Sequence, residues 1–148
     1  MKNKTVAAWL AFLGGPLGLH CFYLRGLGSL PGWLLPIPTA LGVYGLERAR
    51  MYGLDDAWSW VLVPLLGFTI AGCALTAIIY GLMTPEKWNA RYNAGAPLDA
   101  PQGRTQWLTI GAVVLALLFG STILMASIAF SFQRYFEYQV EEGRKISQ

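Results

Sequence analysis

Residues 14–26 read GGPLGLHCFYLRG, and the fold turns on how this stretch is taken. It closes the first apolar segment and holds the single histidine of the chain, His20, and one of its two cysteines, Cys21. Pro16 cannot donate a backbone hydrogen bond and crowds the carbonyl of Phe12, so a kink is expected here, with Gly14 and Gly15 adding freedom. Upstream, Ala7, Ala11, Gly14 and Gly18 recur at spacings of four, three and four. That pattern predicts a stripe of small side chains along which another helix, the second segment, approaches closely. Trp9, Phe12, Pro16 and His20 form a bulkier stripe. Read as one helix, residues 5–24 place His20 about 23 Å from Thr5, in the outer part of a membrane span. Phe22 and Tyr23 then suit an interfacial anchor, and Arg25 marks the water side.

The rest of the chain follows the same alternation of apolar run and short connector. Residues 5–24, 26–46, 57–85 and 105–133 contain no Asp, Glu, Lys or Arg. About 20 helical residues cross a bilayer core of about 30 Å, so the four runs predict four membrane helices in an all-α chain. The composition agrees: 55% of residues are hydrophobic and 13% charged, where a soluble domain carries about 25% charged. The net charge of +3 does not point to nucleic acid, because the basic residues stand singly at segment ends. The basic start MKNK is expected to lead into an uncleaved first helix, since no small-x-small cleavage site precedes Cys21.

The second segment, residues 30–46, contains Pro36 and Pro38, read either as a packing kink or as a cavity wall. Residues 47–56, ERARMYGLDD, read as a polar connector. The third segment carries the small pairs Gly67/Ala71 and Ala77/Gly81. Thr84-Pro85-Glu86 is a helix start with a hydroxyl cap, a first-turn proline and an acid. Trp88 and Tyr92, four apart, share one face of a short helix expected at the interface. Residues 95–103 read as a loose linker. The fourth segment has Ala112, Ala116 and Gly120 at four-residue spacing, a second packing stripe. Its hydroxyls at Ser121, Thr122, Ser127 and Ser131 are expected to bond back to their own helix. Residues 133–148 continue the helix out of the membrane and fray.

The chemistry available is sparse. His20 is the one imidazole, no acid lies in the apolar runs, and neighbouring helical positions such as His20 and Cys21 point about 100° apart. One His and two Cys are fewer than the ligands a metal needs. We therefore expect no catalytic residue, no metal and no cofactor. His20 is expected to bond a backbone carbonyl or a side chain in the outer half of the span, the other reading being a conducting or sensing group.

Together, Gly15, Gly18, His20, Phe22, Tyr23 and Leu24, followed by a second apolar segment that ends at Glu47, resemble the TM-two domain, a paired-transmembrane-helix module. The resemblance covers about residues 1–50. Cys21 and Arg25 stand where that family usually has a basic residue and a glycine, and Glu47 stands for its usual Asp. The resemblance implies a tight hairpin of the first two membrane helices, over residues 1–50, with residues 51–148 a further helix pair. It implies no enzymatic activity, and roles in signalling, regulation and protein association.

The function expected is that of a non-enzymatic membrane accessory or regulatory protein acting by helix–helix association. The alternative is a small transporter or channel with His20 and the Pro36/Pro38 kink lining a path. Expected partners are the lipid bilayer and other membrane proteins or further copies of the chain, not nucleic acid. The positive-inside rule places both termini in the cytoplasm, with a multi-pass chain in a bacterial inner membrane.

Overall fold

The computed structural model describes residues 1–147; Gln148, the last residue of the expected fraying tail, lies outside the described residues. The chain is all-α, with no strand among the described residues. Its helices are α1 (Lys4–Gly14), α2 (Leu19–Arg25), α3 (Leu30–Leu34), α4 (Pro36–Tyr52), α5 (Ala57–Leu82), α6 (Pro85–Tyr92) and α7 (Trp107–Ile146).

The first apolar segment is not the straight span its composition predicts. α1 ends at Gly14, a 3-10 turn covers Gly15–Leu17, and Gly18 adopts φ 74°, ψ 11°. This left-handed conformation suits glycine and stops a right-handed helix. α2 then runs back along α1. The reversal is fixed by Tyr23, whose hydroxyl accepts from the Asn3 amide at 2.9 Å and whose carbonyl accepts from Lys2 Nζ at 2.6 Å. In a straight helix those residues would stand about 30 Å apart. The hairpin therefore lies inside the first segment rather than between the first and second. His20 sits on the return arm and not at the far end.

α3 and α4 form one bent rod. Leu35 between them keeps helical angles, φ −62° and ψ −37°, and its amide still bonds the Pro31 carbonyl at 3.2 Å. The expected connector at residues 47–56 is mostly helix, because nothing breaks α4 before Gly53 at φ 84°. α4 packs antiparallel on α5, where side chains on Gly42 and Gly45 would overlap Leu66 and Leu62. α5 and α7 are the two helices long and apolar enough to cross a membrane. They too are antiparallel: Gly81 faces Val113, Gly120 faces Ala74 and Gly67 faces Ser127.

α1 enters beside both. Thr5 meets Thr109 near its start, Ala11 packs with Ala74, Ala77 and Ala116, and Gly15 abuts Cys73. The tip of the hairpin thus lies nine residues inside the end of α5, about 14 Å deep. Residue 2, the end of α5 and the start of α7 share one end of the bundle, the near end. The α4–α5 connector and the C-terminal part of α7 share the far end, where Arg134 meets Asp55. The two ends of the chain thus point away from opposite ends of the bundle, where the sequence reading put both on one side.

The core is built from small side chains. Nine of its eleven buried hydrophobic residues are alanines, whereas Phe68, Leu75, Leu117, Leu118, Phe119 and Met125 are exposed. A protein folded in water buries its large apolar side chains; close approach of small residues with bulky ones outside is the membrane pattern.

Candidate functional site

Of the motif residues, Gly15, Gly18, Phe22 and Tyr23 contribute to how the hairpin is held. A methyl group on Gly15 would overlap Cys73, and one on Gly18 would overlap the Gly32 carbonyl and backbone. Phe22 lies over Gly32 and packs edge-on against Trp33, ring centroids 5.2 Å apart at 68°. Leu24 is half-buried. Of the packing residues, Ala7 and Ala11 are buried in the bundle, Ala11 against α5 and α7 rather than the second segment. Gly14 meets Leu19 of the return arm, and only Gly18 meets the second segment. Ala112, Ala116 and Gly120 are buried along α7, Ala116 and Gly120 facing α5.

His20 is 4% exposed. Its Nε2 lies 3.3 Å from Cys21 Sγ, although neighbouring helical positions point about 100° apart. Nδ1 is buried without a hydrogen-bond partner among the described residues. The ring stands 6.1 Å from Tyr80, edge to face. A thiol and a phenol ring are thus the neighbours of the His20 imidazole.

The near end is closed by a polar knot that tertiary pairing alone creates. Lys4 is fully buried, and its Nζ donates to the Met83 carbonyl at 2.8 Å and the Thr105 hydroxyl at 2.7 Å. Met83 is the C-cap of α5, so the ammonium also meets the negative end of that helix. The Trp88 indole donates to the Lys2 carbonyl at 2.9 Å, and the Asn93 amide to the same oxygen at 3.1 Å. The Asn89 amide donates to the Leu98 and Ala100 carbonyls at 2.9 and 3.0 Å, pinning the linker that the sequence presents as loose. α6 has the expected start: Thr84 caps it, and backbone hydrogen bonding, helped by the Thr84 hydroxyl, holds the Glu86 carboxyl below its ordinary range. Its aromatic face turns inward, however, with Trp88 fully buried and its ring tilted at 46° to that of Tyr92, centroids 4.5 Å apart.

At the far end Arg48 grips Asp56 through two hydrogen bonds, of 2.7 and 3.0 Å. Asp56 also accepts from the Ser59 amide at 3.1 Å and hydroxyl at 2.8 Å, capping α5. The Arg48 hydrogen bonds, with those from Ser59, hold its carboxyl well below the usual carboxylate range. Arg134 pairs with Glu137 at 2.7 Å and Asp55 at 3.4 Å, over the rings of Trp60 and Phe130.

Sequence reasoning missed Lys4, Asn89, Asn93 and Asp56. The one local signal was Asn89 and Asn93 four apart, on the face opposite the cations of α6. No family model, curated protein or solved structure matches the chain.

Proposed function

We propose that this chain is a non-enzymatic, multi-pass membrane protein that works by associating with other helices in the bilayer. In this reading it crosses three times, through α3–α4, α5 and α7. α1–α2 is a re-entrant hairpin that enters from the near end and returns to it. Irregular backbone at membrane depth is tolerated only where protein covers it; at the tip Gly15 is covered by Cys73 and Gly18 by Gly32, while the Leu17 side chain is exposed. The near end is assigned to the cytoplasm. It carries Lys2, Lys4, Arg25, Lys87, Arg91 and Arg104, against Arg48, Arg50, Arg134, Arg144 and Lys145 at the other end. The resemblance of residues 1–50 to the TM-two domain fits a regulatory or accessory role of this kind.

One observation carries the association. Gly72 lies on the outer face of α5, where a side chain would meet nothing in the chain. With Ala116, Gly120 and Ser121 it lines an apolar groove of about 360 Å³ between α5 and α7. Gly72 and Ser121 are exposed on this groove, and small residues facing outward let a further helix approach to backbone distance. The test is Gly72→Leu. In mild detergent the wild type is expected to sediment as an assembly, and the variant as a monomer with an unchanged melting temperature. A monomeric wild type, or an assembly indifferent to Gly72→Leu, would overturn the reading.

A second reading, a small transporter or channel, draws on the meeting of two helix breaks at mid-depth. The Thr39 hydroxyl reaches the Pro16 carbonyl at 2.8 Å and the Leu35 carbonyl at 3.0 Å. Interrupted helices meeting near the midplane are the material of transporter sites. Ion flux into proteoliposomes, lost in Thr39→Val, is the result that would favour it.

A further inference from the structure

The near end carries charge that the chain leaves uncompensated. Arg25, Lys87, Arg91 and Arg104 are all exposed there. Among the described residues none of the four lies within ion-pair distance of a carboxylate, whereas Arg48, Arg50, Arg134 and Lys145 at the other end are each paired. The near end has two acids of its own. Glu86 is engaged with the start of α6 through Thr84 and backbone bonding, and Asp99 is exposed on the linker.

Next to Arg91 is an open cleft of about 540 Å³, lined by Lys2, Tyr92, Asn93 and the turn that runs on to Pro97. The Arg91 guanidinium stands 5.6 Å from the Tyr92 ring. Lys2 gives one ammonium hydrogen to the Tyr23 carbonyl and keeps two. Asn93 is 6% exposed, its amide already committed to Lys2 and Asn89, so the floor of the cleft is fixed. In the membrane reading this end lies at the level of lipid headgroups, where the exposed Trp33 and Trp107 suit an aromatic belt. α6 buries its aromatic face within the protein and turns Lys87 and Arg91 outward.

We propose that this cleft binds the headgroup phosphate of an anionic phospholipid. Arg91 and Lys2 contact the phosphate, Arg25, Lys87 and Arg104 supply the surrounding field, and the acyl chains stay in the bilayer. The proposal rests on the membrane reading above. A failure of that reading shows first, as a chain that does not enter nanodiscs at all.

The test uses the full chain in nanodiscs of phosphatidylcholine containing a minor share of phosphatidylglycerol, with lipids retained on the protein counted by native mass spectrometry. Phosphatidylglycerol is expected to be enriched over its share in the disc, and less so as salt rises. Arg91→Gln should weaken the enrichment roughly fivefold, and Lys87→Gln with Arg91→Gln by about that factor again. Arg50→Gln and Arg144→Gln, at the other end, should leave it unchanged. Equal retention of the two lipids, or equal loss in the far-end variants, would overturn the proposal. Displacement by inorganic phosphate would overturn it too, by making the ligand a free anion rather than a headgroup.

Discussion

Single residues decide this fold where backbone meets backbone. Three glycines near the hairpin separate the causes. Gly28 has an ordinary backbone and open space, Gly26 has φ 80° and open space, and Gly18 has φ 74° and the Gly32 backbone against it. Gly28→Ala should therefore leave the melting temperature unchanged. Gly26→Ala carries strain alone, about 1–3 kcal/mol, and Gly18→Ala should cost clearly more because the overlap is with backbone that cannot turn aside. Equal effects at Gly18 and Gly28 would mean that the left-handed turn is not holding the hairpin. At the far end the residue that matters is Asp56. Its folded pKa is depressed, so its stabilisation is complete above the ordinary carboxylate pKa of about 4 and is lost as pH falls through the folded value. A melting curve taken downward from neutral pH should fall in acid for the wild type, and Asp56→Asn should lack that share of the fall.

Among the elements, some were legible in the residues and some were not. α5 and α7 follow from long uncharged runs with small residues at helical spacing. The start of α6 follows from Thr84, Pro85 and Glu86. The hydroxyls of Ser121, Thr122, Ser127 and Ser131 bond carbonyls of their own helix at 2.6, 2.8, 2.8 and 2.9 Å, as local chemistry requires. The hairpin was hidden because its small-residue pattern keeps helical spacing through Gly18, the residue that leaves the helix. Gly14, Gly15 and Pro16 predict a break, but a kink and a reversal share that signature. What distinguishes them is the pairing of Tyr23 with Lys2 and Asn3, which no local window contains. The linker at 95–103 was misjudged for the same reason: its order comes from Asn89, outside it. Asn89→Ala should raise amide hydrogen exchange across residues 95–103 while α5 and α7 keep their protection. Unchanged exchange in the linker would show that the two carbonyl bonds are not what orders it.

For the molecule as a whole, α5 and α7 are long and apolar enough to cross a membrane, and the buried hydrophobic residues are mostly alanines with bulky residues outside. The number of crossings is another matter, since four uncharged runs of sufficient length differ from three crossings and a hairpin only in one reversal. That reversal sends the N-terminus and C-terminus to opposite ends of the bundle and gathers Lys2, Arg25, Lys87, Arg91 and Arg104 at one face. Both the proposed orientation in the membrane and the proposed headgroup site depend on it. The most direct measurement places a protease-removable tag at each terminus and a cysteine at Gly28, where a side chain meets nothing. Accessibility is then read in right-side-out and inverted vesicles. The account predicts that the N-terminal tag and the Gly28→Cys label are reached from one side and the C-terminal tag from the other. Both tags reached from the same side, with the Gly28→Cys label on the opposite one, would contradict it.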